Sequence, residues 1–436
     1  MLLLGRGRRI RLSKTKSTGK MKTLIANRFY YATLAFMKRY WNLLRTEPLL
    51  AQLSLIQLVA YFGAWFSNVA IYTLLITLHV DASTIAFVAA LHFFAGVLQA
   101  PLSGVIIDRF SPKKLMILLT IIEISCTLML VSIDEVSKLP LLYILVFARM
   151  AAASFQFTVE MSLLPRILSG KALQSANEIH SIIWSLSYTL GMALSGLLVY
   201  SVGVTYAFLL DAVLFVIVLV LQMNLHFTLE KSEITSRFRT MMGDALRYIK
   251  KERIVWHLML LHSVVAFTAF DALVVLSAQK YYMNLIAVSL GIGLVHAARA
   301  VGLAMGPLFL GEWVNIKRLE FLLLAEALAI GLWAWAMSNF YASLAASVIV
   351  GFMTTTLWSY TYTLIQKHTH HDYYGRVVAY NDMIFLTVGG LVSLLIGFLV
   401  KCGWTLESIT LVLSGAFLIA AFYYRWMRQY YELQEI

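Results

Sequence analysis

The sequence GVIIDRFSPKK, residues 104–114, is a short polar segment between two long apolar runs. Its four charged side chains are Asp108, Arg109, Lys113 and Lys114. The flanking runs, residues 84–107 and 114–133, are each long enough to cross a bilayer as a helix. We therefore expect these charges to lie in a tight loop at one face of a membrane.

The composition of the whole chain excludes an ordinary soluble domain. Hydrophobic residues make up 60% of the chain and charged residues only 13%. The sequence predicts an all-α membrane protein with twelve transmembrane helices. Their expected bounds are 49–79, 84–107, 114–133, 139–164, 172–202, 204–227, 254–282, 285–310, 318–338, 341–366, 374–401 and 404–424.

The distribution of basic residues predicts the orientation, because Lys and Arg accumulate in cytoplasmic loops. With the N-terminal tail in the cytoplasm, all but five of the 35 Lys and Arg residues lie on that side or in the two tails. Those five are Lys138, Lys280 and Lys401 on the other side and Arg149 and Arg299 inside the membrane. We expect both termini to be cytoplasmic, in a multi-pass plasma membrane protein, and a bacterial inner membrane suits this pattern.

The N-terminal tail, residues 1–48, carries twelve basic residues against the single acid Glu47. Anionic membrane lipids account for this charge, so the net charge of +13 needs no nucleic acid partner. Part of the tail has helical apolar spacing and predicts a helix on the inner leaflet, whereas residues 1–22 are equally compatible with a disordered leader. Met21 is an alternative start. The apolar positions are Ile25, Phe29, Phe36, Trp41 and Leu44.

A polar linker, residues 229–253, divides the chain into two parts with six apolar runs each. The expected domains are a bundle over 49–228, a bundle over 254–428 and a tail over 429–436. Two six-helix bundles permit alternating access around a site near the bilayer midplane. The linker predicts an amphipathic helix, either interfacial or solvated. Its apolar positions are Ile234, Phe238, Met241, Ala245 and Ile249.

Catalytic and metal sites have little support in the sequence. Cys126 and Cys402 lie in or beside apolar runs and are interpreted as inert packing residues. No nucleophile–base constellation or nucleotide-binding loop is apparent, so we predict neither an enzyme nor a cofactor. One histidine-rich segment allows metal binding but is also typical of a solvated basic loop. It contains Lys367, His368, His370, His371 and Asp372.

The opening segment follows the pattern G-x-x-x-D-R-x-x-x-K-K and resembles the helix two to three loop of the major facilitator superfamily. Its matching residues are Gly104, Asp108, Arg109, Lys113 and Lys114. The second-half loop, residues 311–320, keeps two basic residues but lacks the D-R pair. Further segments resemble the branch of macrolide and enterobactin exporters. They are 57–66, 149–165, 176–177, 208–211 and 375–377.

The resemblance implies that Asp108 faces the start of helix eleven, which here carries Arg376. We predict that Asp108 and Arg376 latch the two halves on the cytoplasmic side in the outward-open state. The alternative is that the loop charges only enforce topology. That alternative explains Lys113 and Lys114 but not Asp108, because acidic residues contribute little to the charge bias that orients membrane helices.

Ionisable residues within the membrane are functional candidates by default. Arg149 and Asp271 share a depth, and the resemblance places their helices around the central cavity, so they are expected to meet across the halves. The pair either couples transport to protons, with Asp271 titrating, or simply holds the bundles together. Other candidate partners of Asp271 are Arg299, His296 and His262. Glu160 and Asp382 are further candidates, and Glu123, Glu326 and Asp211 are interpreted as structural.

Aromatic and polar residues on the presumed cavity helices would suit large, partly apolar substrates. Helix packing or lipid contact is the alternative for each of them. The cavity candidates are Tyr61, Trp65, Asn68, Phe155, Gln156, Phe157, Phe267, Thr268, Phe270, Thr355 and Trp358.

The predicted function is secondary active export of amphipathic small molecules, of drug or siderophore type, driven by proton antiport. The expected partners are a small-molecule substrate, protons and membrane lipids, and the protein is expected to be monomeric. An importer or lipid flippase on the same fold is an alternative. A non-transporting receptor or scaffold is another, and it would tolerate loss of Asp271 and Arg149.

Overall fold

The computed structural model describes residues 38–226, 238–311, 313–370 and 373–433, without the side chains of 101–105, 108, 109 and 238–242. The described part is helical and contains no strand. Its helices are α1 Pro48–Thr77, α2 Ala82–Arg109, α3 Pro112–Leu130, α4 Leu139–Ile167, α5 Gly170–Met223, α6 Phe238–Lys251, α7 Arg253–Ser263, α8 Asp271–Ser277, α9 Val288–Leu310, α10 Leu319–Ala336, α11 Phe340–His368, α12 Tyr374–Lys401 and α13 Leu406–Tyr430.

Ten helical segments in the described ranges are long and apolar enough to cross a membrane. The all-α, multi-pass architecture expected from the sequence is therefore confirmed. Each of the twelve predicted apolar runs falls on helix, but α3 is short and carries three charged residues, and two runs share α5. The count of twelve spans and the side on which the termini lie stay predictions.

Helix α5 extends over 54 residues and changes direction at Gly203. Gly203 has φ 87° and ψ 171°, which is outside the helical region and open mainly to glycine. The predicted boundary between runs 172–202 and 204–227 thus lies at this residue, although no loop separates the two segments.

The predicted run 254–282 coincides with the candidate span Arg253–Tyr282, but the helix of that span is interrupted near its centre. Helix α7 ends at Ser263 and a 3-10 turn follows over Val264–Thr268. Ala269 and Phe270 are non-helical, and helix resumes as α8 at Asp271. Apolar periodicity does not reveal such a break, because every residue here remains apolar enough for a membrane span. The interruption leaves Asp271 in the first turn of a new helical segment.

The helices before and after the linker form two groups, here called the first half (residues 48–226) and the second half (residues 253–433). Within the first half α1 packs along α5 and α3 along α4, and within the second half α9 packs along α11 and α10 along α13. The α9–α11 contact is very close, since a Cβ at Gly302 would lie 2.0 Å from the Val348 carbonyl oxygen. The halves meet where α2 packs on α12 and α5 on α9.

The linker helix α6 is amphipathic, as predicted, and packs against the second half. Ala245 and Ile249 are buried, whereas Lys250 and Lys251 are exposed. Tyr248 stacks on Tyr373 with ring centroids 4.3 Å apart, and the Tyr248 hydroxyl accepts a hydrogen bond from the His370 backbone. Ile234 lies outside the described residues. We call the face that carries α6 the linker face and the other end of the bundle the opposite face.

A short helix over residues 38–46 precedes α1 and packs on the start of α5. The Tyr40 hydroxyl donates to Glu178 at 2.7 Å, and burial with this contact raises the pKa of Tyr40 to about 12. Trp41 is exposed, as a helix at a lipid surface would allow. The predicted tail positions Ile25, Phe29 and Phe36 lie outside the described residues.

The two cysteines differ from each other in environment. Cys126 is buried in the core of the first half, as expected for a packing residue. Cys402 is exposed in the turn after α12, so its interpretation as a packing residue is wrong. Position next to an apolar run did not distinguish a helix interior from the turn that ends the helix.

Candidate functional site between the two halves

Glycines let the two halves approach each other closely toward the opposite face. A Cβ at Gly196 of α5 would lie 2.6 Å from the Ser289 carbonyl oxygen of α9. A Cβ at Gly293 would lie 2.5 Å from the Met192 carbonyl oxygen. Any larger side chain would force the helices apart, because real Cβ atoms do not approach backbone this closely.

The contact between α12 and α2 is also built on glycine. A Cβ at Gly397 would lie 2.6 Å from the Ala86 methyl group, and one at Gly389 would lie 2.8 Å from the Phe93 ring. Further from the opposite face, Gly96 of α2 faces Leu386. These contacts run from the opposite face to about mid-depth in the two helices.

A polar contact connects the halves beside the α5–α9 crossing. The Tyr188 hydroxyl of α5 lies 3.1 Å from His296 Nδ1 of α9. His296 Nε2 in turn lies 3.8 Å from the Asp271 carboxylate at the start of α8. His296 is buried, whereas the Asp271 side chain is 30% exposed. This Tyr188–His296–Asp271 cluster is the candidate functional site.

The cluster suggests one tautomer for neutral His296. If the Tyr188 hydroxyl donates to Nδ1, then the imidazole proton resides on Nε2 and points toward Asp271. Nε2 makes no hydrogen bond in the structure. Adding a proton to Nδ1 would remove its acceptor and require Tyr188 to reverse its hydrogen bond. Protonation at this site therefore acts directly on the contact between the halves.

Aromatic rings line the first-half side of the cluster. Trp65 of α1 packs on Tyr188 at 4.6 Å between centroids, and Trp184 stacks on Tyr188 at 5.5 Å. Trp65 was a predicted cavity residue, but Tyr188 and Trp184 were missed. Their spacing of four residues on a glycine-containing helix places both on one face, and that pattern was the available signal.

Arg299 lies on the second-half side of the cluster. Its guanidinium sits 4.7 Å from the centroid of the Phe270 ring, in cation–π geometry, and it is an electrostatic neighbour of Tyr188. Phe270 itself is buried and stacks on Trp333. Of the predicted partners of Asp271, His296 contacts it, while His262 lies elsewhere and bonds to Thr361.

The expected meeting of Arg149 with Asp271 does not occur. Arg149 of α4 instead binds Asp211 of α5 at 2.7 Å, and both side chains are almost fully buried. Thr127 accepts a bond from Arg149 at 3.1 Å, and Ser67 donates to the same Asp211 oxygen. Matching depth along two helices does not fix the direction in which a side chain points, and a nearer carboxylate within the first half takes this arginine.

Glu160 belongs to a second buried polar network in the first half. Its carboxylate accepts a hydrogen bond from the Gln156 amide at 3.1 Å. The Thr120 hydroxyl lies 3.0 Å from the amide oxygen of Gln156 and 2.9 Å from that of Gln222, so it can donate to either one. Gln156, predicted to line the cavity, is therefore used inside the first half. In the second half Glu326 is fully buried and accepts from the Thr354 hydroxyl, which fits the structural role expected for it.

The remaining cavity candidates have different environments. Trp358 is exposed on α11, and Phe157 is exposed on α4. Tyr61 packs edge-on to His180. Others are held in protein contacts: Phe155 against the first-half core, Phe267 against the main core and Phe270 on Trp333. Asn68 and Thr355 are half-buried, and Thr268 is buried.

The segment 104–114 forms the end of α2 and the start of α3. Lys113 donates to the backbone carbonyls of Met223 and Leu225, each at 2.7 Å, and so caps the end of α5. The side chains of Asp108 and Arg109 are not among those that the structure describes. Arg376 rests over the Tyr373 ring at 5.4 Å. The latch between Asp108 and Arg376 thus remains a prediction.

The histidine-rich segment before α12 was left open between a metal site and a solvated loop. His368 Nδ1 contacts the Leu364 carbonyl, while His371 and Asp372 are outside the described residues. In the described ranges no group of three or more metal-ligating side chains is found. Metal binding at this segment has no geometric support in those ranges.

Comparison with known proteins places this geometry in a family. Residues 53–285 match the family model of the Major Facilitator Superfamily. A Bacillus subtilis (strain 168) protein described as the uncharacterized MFS-type transporter YkuC is 28% identical over 114 residues, 26% of each chain. The chain therefore spans about a quarter of the length of that relative.

Solved structures share the fold along nearly the whole chain. The nucleoside transporter NupG aligns with a TM-score of 0.68 at 17% identity, covering 88% of this chain and 99% of that one. A bacterial homologue of the lysosomal transporter Spinster, inward-facing and unoccupied, aligns with 0.69 at 13%, covering 87% and 96%. A D-xylose-proton symporter aligns with 0.69 at 10%, covering 86% and 96%. At such identities the likeness concerns the fold.

Proposed function

Because the chain belongs to the Major Facilitator Superfamily, we propose that this membrane transporter is a proton-coupled exporter of amphipathic small molecules. The observation that carries the proposal is the Tyr188–His296–Asp271 cluster. It joins the two halves, it includes groups that bind protons, and Asp271 is partly open while its neighbours are buried. These are the properties that coupling between protonation and rocking of the halves requires.

The strength of the contact suits a reversible closure. One hydrogen bond at 3.1 Å and one His296–Asp271 contact at 3.8 Å are weak compared with a fully hydrogen-bonded buried ion pair. Proton binding would reverse the Tyr188 hydrogen bond and favour separation of α5 from α9. Substrate bound in the cavity would shift the same equilibrium only by its difference in affinity for the two states.

The proposed conformation is open toward the linker face. The described glycine contacts between the halves lie from the opposite face to about mid-depth, the last of them at Gly96 and Leu386, and such an arrangement would accompany an opening toward the linker face. The proposal includes cytoplasmic termini, twelve spans in two six-helix bundles and a monomer in the bacterial inner membrane. The concentration of basic residues at the linker face supports that orientation.

Transport in proteoliposomes tests the proposal. Purified protein is reconstituted and a proton gradient is imposed, with a panel of fluorescent amphipathic dyes and siderophores as cargo. We expect movement of at least one cargo against its own gradient and opposite to the proton flux. Movement only in the same direction as protons would establish a symporter, the type of transporter that the D-xylose-proton symporter with the same fold is named as. No gradient-dependent movement of any compound would contradict the proposal.

The proposed latch at the linker face has its own test. Asp108→Asn keeps the shape of the side chain but removes the charge that would face Arg376. We expect transport to fall several-fold while the amount of protein in the membrane stays near normal. Lys114→Gln serves as the matched control, since it removes an exposed charge from the same loop. Undiminished export by Asp108→Asn would rule out the latch.

A further inference from the structure

A second carboxylate, Asp382 of α12, faces the space between the halves. It lies four residues before Leu386 and seven before Gly389, so the three share one helical face. Leu386 and Gly389 contact α2 of the first half, at Gly96 and Phe93. Asp382 is one turn nearer the linker face, about 12 Å from the start of α12, and its side chain is exposed.

Asp382 has little compensation for its charge. In the described ranges its carboxylate accepts a hydrogen bond only from Asn381 Nδ2, at 3.4 Å, and no basic side chain of those ranges forms an ion pair with it. Asp271 differs, because His296 Nε2 lies 3.8 Å from its carboxylate. A carboxylate inside a membrane protein is costly unless a cation or water accompanies it. Among the described side chains, Asp382 is therefore a carboxylate facing the other half with no cation beside it.

Aromatic rings flank this carboxylate at the same depth. Trp358 and Tyr362 of α11 stack with centroids 5.0 Å apart at 18°, and Trp358 is 41% exposed. Asp382 is an electrostatic neighbour of Tyr362 and Tyr374. The exposed Trp358 indole is connected to Asp382 through Tyr362, so the cluster offers both an apolar surface and attraction for a positive charge.

The aromatic wall is held rigidly from behind. His262 of α7 is buried and packs against the rings of Trp358, Tyr362 and Phe385 at 5.5–5.7 Å. The Thr361 hydroxyl fixes His262 Nδ1 at 2.9 Å. Phe385 lies one turn after Asp382, so the same support connects α11 with α12. A fixed wall of this kind costs little ordering when a ligand binds.

We propose that Asp382, Trp358 and Tyr362 form a subsite for an organic cation with an aromatic or otherwise apolar body. This inference rests on the proposed function, since it names the substrate class that the transporter accepts. The cation would sit between the Asp382 carboxylate and the Trp358 face, and its apolar body would extend along the Trp358–Tyr362 stack. The proton-responsive cluster at Asp271 would remain separate from this subsite.

Two ions of equal shape and opposite charge test the subsite. Tetraphenylphosphonium and tetraphenylborate are titrated into detergent-purified protein by isothermal calorimetry. We expect the cation to bind at least tenfold more tightly than the anion, and Asp382→Asn to weaken cation binding about tenfold or more without weakening the anion. Asp382→Glu should restore most of the cation affinity, and Trp358→Ala should weaken both ions.

The control is Asp134→Asn, which removes an exposed carboxylate paired with Lys138 at the opposite face and should leave both affinities unchanged. Thermal unfolding of each variant checks its folding. Unchanged cation affinity in well-folded Asp382→Asn would overturn the subsite. Wild-type protein that exports neutral or anionic cargo but does not prefer the cation would overturn it too, while leaving the proposed function intact. Cation binding without transport of any cargo would refute the proposed function and leave the subsite standing.

Discussion

Each half of the molecule holds a membrane-embedded aspartate beside a basic side chain, but the two contacts differ in length and in exposure to solvent. In the first half Asp211 and Arg149 lie 2.7 Å apart, with 0% and 3% of their side chains exposed. In the second half Asp271 lies 3.8 Å from His296 and is 30% exposed. The first pair connects helices within one half, whereas the second joins a contact that crosses between the halves.

The difference indicates a division of labour. A sealed ion pair inside one half moves as a rigid unit when the halves rock, so it contributes the same energy in every conformation. A loose contact at the boundary changes its partners as the halves separate, and only such a contact can bias the equilibrium between conformations. The fully charged pair is thus the structural element, and the weaker one is the candidate for coupling.

Breaking the sealed pair should have the largest effect. Asp211→Asn leaves the Arg149 charge buried without compensation, which we expect to destabilise the protein by about 3–5 kcal/mol. The measurement is thermal unfolding in detergent, together with the yield of monodisperse protein. The double variant Arg149→Met with Asp211→Leu removes both charges and should recover much of the loss. Wild-type stability of Asp211→Asn would show that the pair is not structural.

Neutralising the open contact should affect transport and not stability. Asp271→Asn removes a partly hydrated charge, so we expect a stability change below about 1 kcal/mol. Gradient-driven transport in proteoliposomes should be abolished, while counterflow of cargo without a gradient persists. Normal gradient-driven transport by this variant would remove Asp271 from the coupling site. Loss of both activities would assign it to cargo binding instead.

This contrast also shows what the sequence can predict. Length, hydropathy and charge bias predicted the helices and the amphipathic linker, because burial in lipid forces apolar runs and α-helical backbone. The candidate set included Arg149, Asp271 and His296, since any ionisable group in a membrane span is costly. Tyr188 was missed because a lone tyrosine on an aromatic-rich helix carries no such cost.

The sequence could not predict which side chains contact each other. Which carboxylate Arg149 takes depends on the rotation of α4 and α5 about their axes, and Asp211 lies 62 residues away in the chain. The break at Val264–Thr268 likewise contains no local breaker such as proline that the sequence could reveal. Side-chain partners and helix interruptions are tertiary properties, and both determine the site.

A smaller effect is expected where a charge meets only backbone. Lys113→Met removes two hydrogen bonds to carbonyls at the end of α5, Met223 and Leu225, and should cost about 1–2 kcal/mol. Lys114→Met is the matched control, because Lys114 is exposed beside it. In thermal unfolding, Lys113→Met should have a lower melting temperature than both the control and the wild type. Equal melting of the two variants would show that the cap contributes nothing measurable.

The smallest effect is expected at an exposed carboxylate that caps a helix. Asp81 accepts from the Thr84 backbone at 2.7 Å, and the bonds from Thr84 lower the pKa of Asp81. The ionised form is therefore favoured by folding, so its contribution is complete above the pKa of the unfolded chain and disappears as pH falls through the lower folded pKa. Asp81→Ala should cost about 1 kcal/mol at pH 7. Hydrogen exchange in the first turn of α2 should show protection at pH 7 that the variant lacks, and a difference that shrinks as Asp81 becomes protonated. Protection that is equal in the two proteins at pH 7 would show that the cap is dispensable, in contrast to the buried pair at Asp211.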